Sequence, residues 1–238
     1  SLALGAFEVT PLDLVTVYST FAAGGVRPTP FGLEAVLDPT GKGVGGEALP
    51  EPRRVVSPQT AYLVTSILRG VVDRGTAASV RKQGVTGVIA GKTGTTNGRR
   101  DSWFVGYTPA RATLVWVGYD DNSATRLSGS RAAVPIWGRF TYGVRRSVPD
   151  PSFSIPSGLV TAVVDPETGE LATAECPKTF DEVFVSGTTP NALCHLHGGF
   201  FVPPIQQPDL GIGQAPRPGF RNWLRRVLGN ERGVPPPP

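Results

Sequence analysis

The chain has 238 residues, enough for one or two domains with a sizeable core, and its 39% hydrophobic and 18% charged content is that of an ordinary globular protein. With 23 basic against 19 acidic residues the net charge is +4, too mild to argue for nucleic acid, and no apolar run approaches the roughly 18 residues that span a membrane. The 30 glycines and 24 prolines predict many turns, and a start at Ser1 with no methionine anywhere reads as a fragment or processed piece, with any anchor upstream.

Thr10-Pro11-Leu12-Asp13 predicts a helix start: a threonine cap, proline at the first helical position and an acid three residues after the cap. Leu14, Val17, Tyr18, Phe21 and Ala22 follow at helical spacing as its apolar face, and Gly24-Gly25 stops it. Residues 30–56 are broken by Pro39-Thr40-Gly41 and a Gly-rich stretch, which predicts a short hairpin with a mobile tip. Ser57-Pro58 opens a second helix running to about Val72, and Gly75-Thr76 restarts a short one that ends near Gly84.

The period then changes. Residues 87–96, 101–108 and 112–119 read as three strands rich in β-branched and aromatic side chains, joined as an antiparallel meander. Asn97-Gly98 favours a tight two-residue turn between the first pair, and Thr108-Pro109-Ala110-Arg111 makes the second turn. A helix follows from about Ala132 to Arg145, with Ile136, Trp137, Phe140 and Val144 on one face. Helices segregated from a run of antiparallel strands give an α+β class. The expected divisions are residues 1–150, a loop-rich extension at 151–205 that holds both cysteines and both histidines, and a Pro/Gly-rich disordered tail at 206–238. Within that tail Phe220, Trp223, Leu224, Val227 and Leu228 form one helical face beside Arg221, Arg225 and Arg226, a stretch too short to hold helix alone.

The chemistry concentrates in Gly91-Lys92-Thr93-Gly94-Thr95-Thr96, at the end of the first meander strand. A strand unpaired on one side accepts an extended peptide as a further strand. Gly94 removes a side chain where a ligand backbone approaches, Thr93 and Thr95 offer hydroxyls, and Lys92 a positive charge. Together they suit a carboxylate, and the Thr95 N–H suits a developing oxyanion. Alone, a Lys-Thr-Gly triplet is weak evidence.

Its context is not weak. Ala90-Gly91-Lys92-Thr93-Gly94-Thr95-Thr96, then Asp101-Ser102-Trp103-Phe104-Val105-Gly106-Tyr107-Thr108-Pro109 and Trp116-Val117-Gly118-Tyr119-Asp120, resemble the transpeptidase domain of class A penicillin-binding proteins. The opening Ser1-Leu2-Ala3-Leu4-Gly5-Ala6 with Glu8-Val9-Thr10-Pro11-Leu12, and Gly75-Thr76-Ala77, match that family in order, and residues up to about 200 resemble its C-terminal extension. The resemblance implies a partial penicillin-binding-protein/serine β-lactamase-like fold, an antiparallel sheet packed against helices. It also implies a serine DD-transpeptidase that cross-links peptidoglycan stem peptides through an acyl-enzyme and is acylated by β-lactams.

Such a site needs Ser-x-x-Lys, Ser-x-Asn and Lys-Thr-Gly, and only the third maps onto this chain. Ser79-Val80-Arg81-Lys82 has the first pattern but lies just before the Lys-Thr-Gly strand, far from the family's place for a nucleophile, so Ser79 reads as a helix-surface serine. The implied site residues are Lys92 as catalytic, helping to move protons between serines, with Thr93, Gly94 and Thr95 binding substrate. The fragment alone is expected to be inactive.

The resemblance also places the domain on the extracytoplasmic face of the inner membrane, where disulfides persist, so Cys176 and Cys194 are expected to be joined. Metal binding by Cys176, Cys194 and His197 is the less favoured reading, because the upstream cysteine has no paired ligand nearby. No cofactor and no metal are expected. The expected partners are stem peptides, β-lactams and the upstream part of the same protein, with a membrane anchor there and no nucleic acid. A related carboxypeptidase or β-lactamase, and a non-catalytic peptidoglycan-binding module, are the rival readings.

Overall fold

In the computed structural model, which describes residues 7–33, 35–45, 50–144 and 151–198, the first helix begins where its cap predicts. Helix α1 spans Pro11–Ala22; the Thr10 hydroxyl oxygen accepts from the Asp13 amide at 3.1 Å, and the hydroxyl donates to the Asp13 carboxylate at 2.6 Å. Its inward stripe differs from the apolar repeat. Thr16 and Thr20 are the buried residues while Val17 is 49% exposed. The two hydroxyls satisfy themselves on the Leu12 and Thr16 carbonyls, at 2.7 and 2.9 Å, which lets polar side chains occupy a buried face.

Val26–Arg27 (β1) pairs with Arg53–Arg54 (β2), and Leu37 bridges Gly43 inside the intervening hairpin. Residues 46–49, in its Gly-rich stretch, lie outside the described residues. Helix α2 spans Pro58–Asp73, its Ser57 cap accepting from the Thr60 amide at 3.0 Å. The short helix after it, Ala78–Gln83, is 3₁₀ and closes on Gly84 in the left-handed region at φ 79°.

Ala90–Thr95 (β3), Ser102–Tyr107 (β4) and Ala112–Val117 (β5) form the antiparallel meander in the order β3-β4-β5. The turn between β3 and β4 is longer than Asn97-Gly98 suggests. The Thr96 amide donates to the Asp101 carbonyl at 3.1 Å, and positive φ falls on Gly98 and Arg99 rather than on Asn97 and Gly98. Reciprocal bonds between Thr96 and Asp101 hold that wider turn: the Asp101 amide donates to the Thr96 hydroxyl at 2.8 Å and the hydroxyl to the carboxylate at 3.0 Å.

Register puts Ala90, Lys92 and Gly94 on one face with Tyr107, Val105 and Trp103, and Thr93 and Thr95 on the other with Phe104 and Ser102. Helices α1 and α2 cover the first face, where the Tyr107 ring packs edge-on against Tyr18 and its hydroxyl sits 2.9 Å from that of Thr65. Helix α3, Ala133–Val144, covers the second. Trp137 is 1% exposed, meets Phe104 edge-on at 5.2 Å and donates its indole N–H to the Thr113 carbonyl at 3.1 Å. Gly106 makes this fit possible, since a Cβ there would lie 2.5 Å from the Trp137 ring. The buried stripe of α3 is Ala133, Val134, Trp137, Gly138 and Thr141, whereas Ile136, Phe140 and Val144 face outward, contrary to the expected face. Helical spacing alone cannot say which of two apolar stripes meets the sheet.

Two compact units result, Ser1–Ala162 with Asp181–Thr189, and Val163–Phe180 with Pro190–Pro238. The core of the first joins Val72, Val80, Val85, Ile89, Phe104, Val134 and Trp137. Leu159–Val164 (β6) and Phe180–Val185 (β7) pair as a two-stranded sheet, two strands that the loop-rich reading of this stretch missed. The predicted disordered tail at 206–238, with its basic stretch around Trp223, lies outside the described residues. Among the described residues, no helix is long and apolar enough to cross a membrane.

Candidate functional site

Strand β3 hydrogen-bonds to β4 on one side, and among the described residues no strand pairs with its other edge. Its alternation separates the chemical groups that the sequence places side by side. Lys92 is exposed and donates from Nζ to the Thr93 carbonyl at 2.7 Å. Thr93 and Thr95 stand two apart on the opposite face, each held by a residue from a distant segment. The Thr93 hydroxyl lies 2.7 Å from that of Thr76, and the Thr95 hydroxyl oxygen accepts from the Gly129 amide at 3.0 Å. The Thr95 hydroxyl accepts from Gly129 through one of its two lone pairs, and its single proton is what it could offer to a carboxylate.

Gly94 is also required by its neighbours in the fold. A Cβ there would sit 3.1 Å from the Trp103 Cβ across the strand pair. Gly129 rides directly on the same spot: a Cβ on it would lie 2.5 Å from both the Gly94 and the Trp103 carbonyl oxygens. The far end of the strand is braced by the Trp116 indole, which donates to the Asp101 carboxylate at 3.0 Å, and by the Trp103–Trp116 ring pair at 6.0 Å. Sequence reading singled out Lys92, Thr93, Gly94 and Thr95. It quoted Thr76 only as part of a matching triplet and gave no role to Gly129, whose contact with Thr95 spans 34 residues of chain.

Ser79 and Lys82 are exposed on the 3₁₀ helix, in keeping with a surface serine. The expected disulfide is not formed: Cys176 and Cys194 are free thiols with other partners. The Thr173 amide donates to the Cys176 sulfur at 3.2 Å, and His197 Nδ1 lies 3.3 Å from the Cys194 sulfur. Beside them Asp165 is almost wholly buried. Burial alone would raise its carboxyl, but hydrogen bonds from the Glu167 amide, Cys176, the Thr168 amide and His197 outweigh it and hold the group below the usual carboxylate range.

Comparison with known proteins settles what this strand belongs to. Residues 1–141 match the penicillin-binding protein transpeptidase domain. The chain belongs to that family. Residues 155–199 match the C-terminal domain of penicillin-binding protein 1A, so the chain joins class A transpeptidase sequence to that family's C-terminal domain. It is 39% identical to penicillin-binding protein 1A of Aquifex aeolicus over 82% of this chain and 26% of that protein. Against the Pseudomonas aeruginosa protein of the same name, identity is 30% over 84% of this chain and 30% of that one. The crystal structure of penicillin-binding protein 1A from Haemophilus influenzae superposes with a TM-score of 0.70 at 26% identity, over 81% of this chain and 34% of that one. The chain therefore spans roughly a quarter to a third of the length of these relatives. Its fold is the α+β fold of penicillin-binding transpeptidase domains, with antiparallel strands packed between helices.

Proposed function

We propose that this chain supplies the substrate-recognition strand of a serine D-Ala-D-Ala transpeptidase working on peptidoglycan stem peptides at the extracytoplasmic face of the inner membrane. The observation that carries this reading is β3: among the described residues an edge strand with two hydroxyls side by side, one accepting from the Gly129 amide, and a lysine on the same strand. A stem peptide lies along the open edge of β3 as an added strand. Its terminal carboxylate accepts from Thr93 and Thr95, Gly94 lets the two backbones approach, and the Thr95 N–H faces the carbonyl oxygen that becomes negative.

The reaction is acyl transfer. A serine oxygen bonds to the carbonyl carbon of the penultimate D-alanine, the bond from that carbon to the terminal D-alanine nitrogen breaks, and the serine proton ends on the departing amine. A second stem peptide then brings its amine to the acyl carbon and the serine recovers a proton. Lys92, whose amine donates to the Thr93 carbonyl, steadies the negative charge and helps pass that proton. The nucleophile and its base are not among the residues of this chain that match the family's motifs. Covalent chemistry therefore needs residues beyond it, the upstream part of the same protein, and the chain alone is inactive.

Fluorescent penicillin tests this. The 238-residue chain should remain unlabelled while a longer protein that includes the preceding family motifs is labelled. In that longer protein Lys92→Ala should slow acylation roughly tenfold to a hundredfold, the scale of one charge-assisted hydrogen bond of about 1.5–3 kcal/mol. Thr96→Ala, which touches only the Asp101 turn, should slow it less than about fivefold. Stoichiometric labelling of the short chain, lost on Ser79→Ala, or equal rates for the two variants of the long one, would refute the assignment.

A further inference from the structure

The described part of the second unit buries little that is apolar. Among its described residues the buried side chains are Val164, Asp165 and Cys194. One is an ionisable acid and one a thiol. A segment this small, with so little core, needs a staple of another kind.

Four side chains converge where that core would be. Asp165, Cys176, Cys194 and His197 each bring one donor atom, and all four atoms lie within 4.8 Å of one another. His197 Nδ1 is 2.7 Å from Asp165 Oδ2 and 3.3 Å from Cys194 Sγ. An imidazole nitrogen carries one proton or one lone pair, so it cannot serve an oxygen and a sulfur fully at once. Three donor atoms aimed at one another in this way share a common centre.

The backbone prepares that arrangement. Asp165 Oδ1 accepts from the Glu167 and Thr168 amides at 2.7 and 3.1 Å, which fixes the carboxylate and leaves Oδ2 pointing at the cluster. The Cys194 amide donates to the Leu171 carbonyl at 2.8 Å, and the Thr173 hydroxyl donates to the His197 carbonyl at 2.7 Å, tying the three ligand-bearing loops together. The outward ring nitrogen of His197 faces the Glu167 carboxylate at 4.0 Å, the outer partner that a metal-bound histidine commonly has.

We propose that Asp165, Cys176, Cys194 and His197 bind one zinc ion that holds the small unit together. Two thiolates and an imidazole exclude the hard, oxygen-seeking calcium and magnesium, and four protein ligands with no open position describe a structural rather than a catalytic zinc. The Cys194-x-x-His197 pair supplies two ligands from one tight turn, and Asp165 is the partner that Cys176 lacks in the linear sequence. A Cys176–Cys194 disulfide is the competing arrangement. It would use two of the four groups and leave the buried Asp165 carboxylate with a histidine alone.

The test uses the full 238-residue chain, expressed with zinc in the medium and purified without chelator. Elemental analysis should find one zinc per chain, and both cysteines should resist alkylation until the metal is stripped. Cys194→Ser and His197→Ala should hold less than about a tenth of that zinc. Glu167→Gln should keep the metal but bind it roughly tenfold to a hundredfold more weakly in competition with a chromogenic chelator. Because ligand variants can fail to fold, a second measurement needs none: the stripped, reduced wild-type chain titrated with cobalt should develop the thiolate-to-metal absorption and intense visible bands of a tetrahedral sulfur site, saturating at one equivalent. A metal-free chain lighter by two hydrogens with Cys176 and Cys194 joined, or two freely alkylating thiols with zinc present, would overturn the proposal. So would cobalt spectra of octahedral, oxygen-bound metal.

Discussion

Gly129→Ala is a single methyl placed where the structure leaves no room, and it bears on both stability and strand β3. Its Cβ would sit 2.5 Å from the carbonyl oxygens of Gly94 and Trp103, both backbone atoms of paired strands that cannot swing aside. Carbon–oxygen contacts between neighbouring segments normally lie at about 3.3–3.6 Å, so the 129 loop must lift by close to an ångström. That displacement breaks the 3.0 Å bond from the Gly129 amide to Thr95. Overpacking of this kind costs about 1–3 kcal/mol, and the lost hydrogen bond about 0.5–1.5 kcal/mol more. For a chain of this size each kcal/mol moves the melting temperature by about 2–4 °C. Scanning calorimetry should therefore place Gly129→Ala roughly 3–18 °C below the parent. The control is Gly143→Ala, the same change near the end of α3, where the new methyl meets nothing within 4 Å. There alanine limits the unfolded chain and favours helix, for a gain of up to about 1 kcal/mol. Opposite shifts are expected from identical chemistry. A Gly129→Ala protein melting within about 2 °C of the parent would show that the loop does not seat on β3 as described.

Two further outcomes follow from the buried hydroxyl pair beneath the sheet. Thr65→Val strands the Tyr107 hydroxyl and should cost about 1–3 kcal/mol, whereas Tyr107→Phe leaves Thr65 still bonded to the Ala61 carbonyl at 2.8 Å and should cost only about 1 kcal/mol; urea titrations that ranked them the other way would refute the pairing. Burial raises the Tyr107 phenol above its ordinary value, and Tyr18 likewise, so both are held neutral in the folded state while the unfolded chain ionises near pH 10. Their contribution is then complete below about pH 10 and declines as pH climbs further. Melting temperatures should fall above about pH 10, and fall less in Tyr107→Phe; a parallel decline in both proteins would remove the tyrosine as the cause.

The elements that could be read from the sequence are those fixed by neighbours a few residues apart. Thr10-Pro11 and Ser57-Pro58 cap α1 and α2 because the cap, the fixed φ of proline and the accepting amide all fall within four residues. The meander was legible for the same reason: strand composition and turn residues are local. Which stripe of a helix faces inward is not local. On α3 two apolar stripes compete, and the one that faces inward carries Trp137, whose ring fits against Gly106, and Gly138, which packs against the Gln83 side chain of the 3₁₀ helix. On α1 the buried threonines are polar by residue type and apolar in effect, since each hydroxyl bonds to its own helix.

The site divides along the same line. Lys92, Thr93, Gly94 and Thr95 are four consecutive residues, so their proximity was visible before any fold was known. That Lys92 and the two threonines leave opposite faces follows from strand alternation and was also within reach. The residues that tune them were not, because Thr76 and Gly129 arrive from 17 and 34 residues away. Asp165 shows how distance hides a contact even when the local signal is strong. In Asp165-Pro166-Glu167-Thr168-Gly169 it looks like turn punctuation, and it does make that turn, with the Gly169 amide donating to its carbonyl at 2.8 Å and Gly169 at φ 71°. The turn occupies one carboxylate oxygen. What the other oxygen meets is decided by a histidine 32 residues on, so a residue fully explained by its neighbours in sequence still has a free atom with which to build a site.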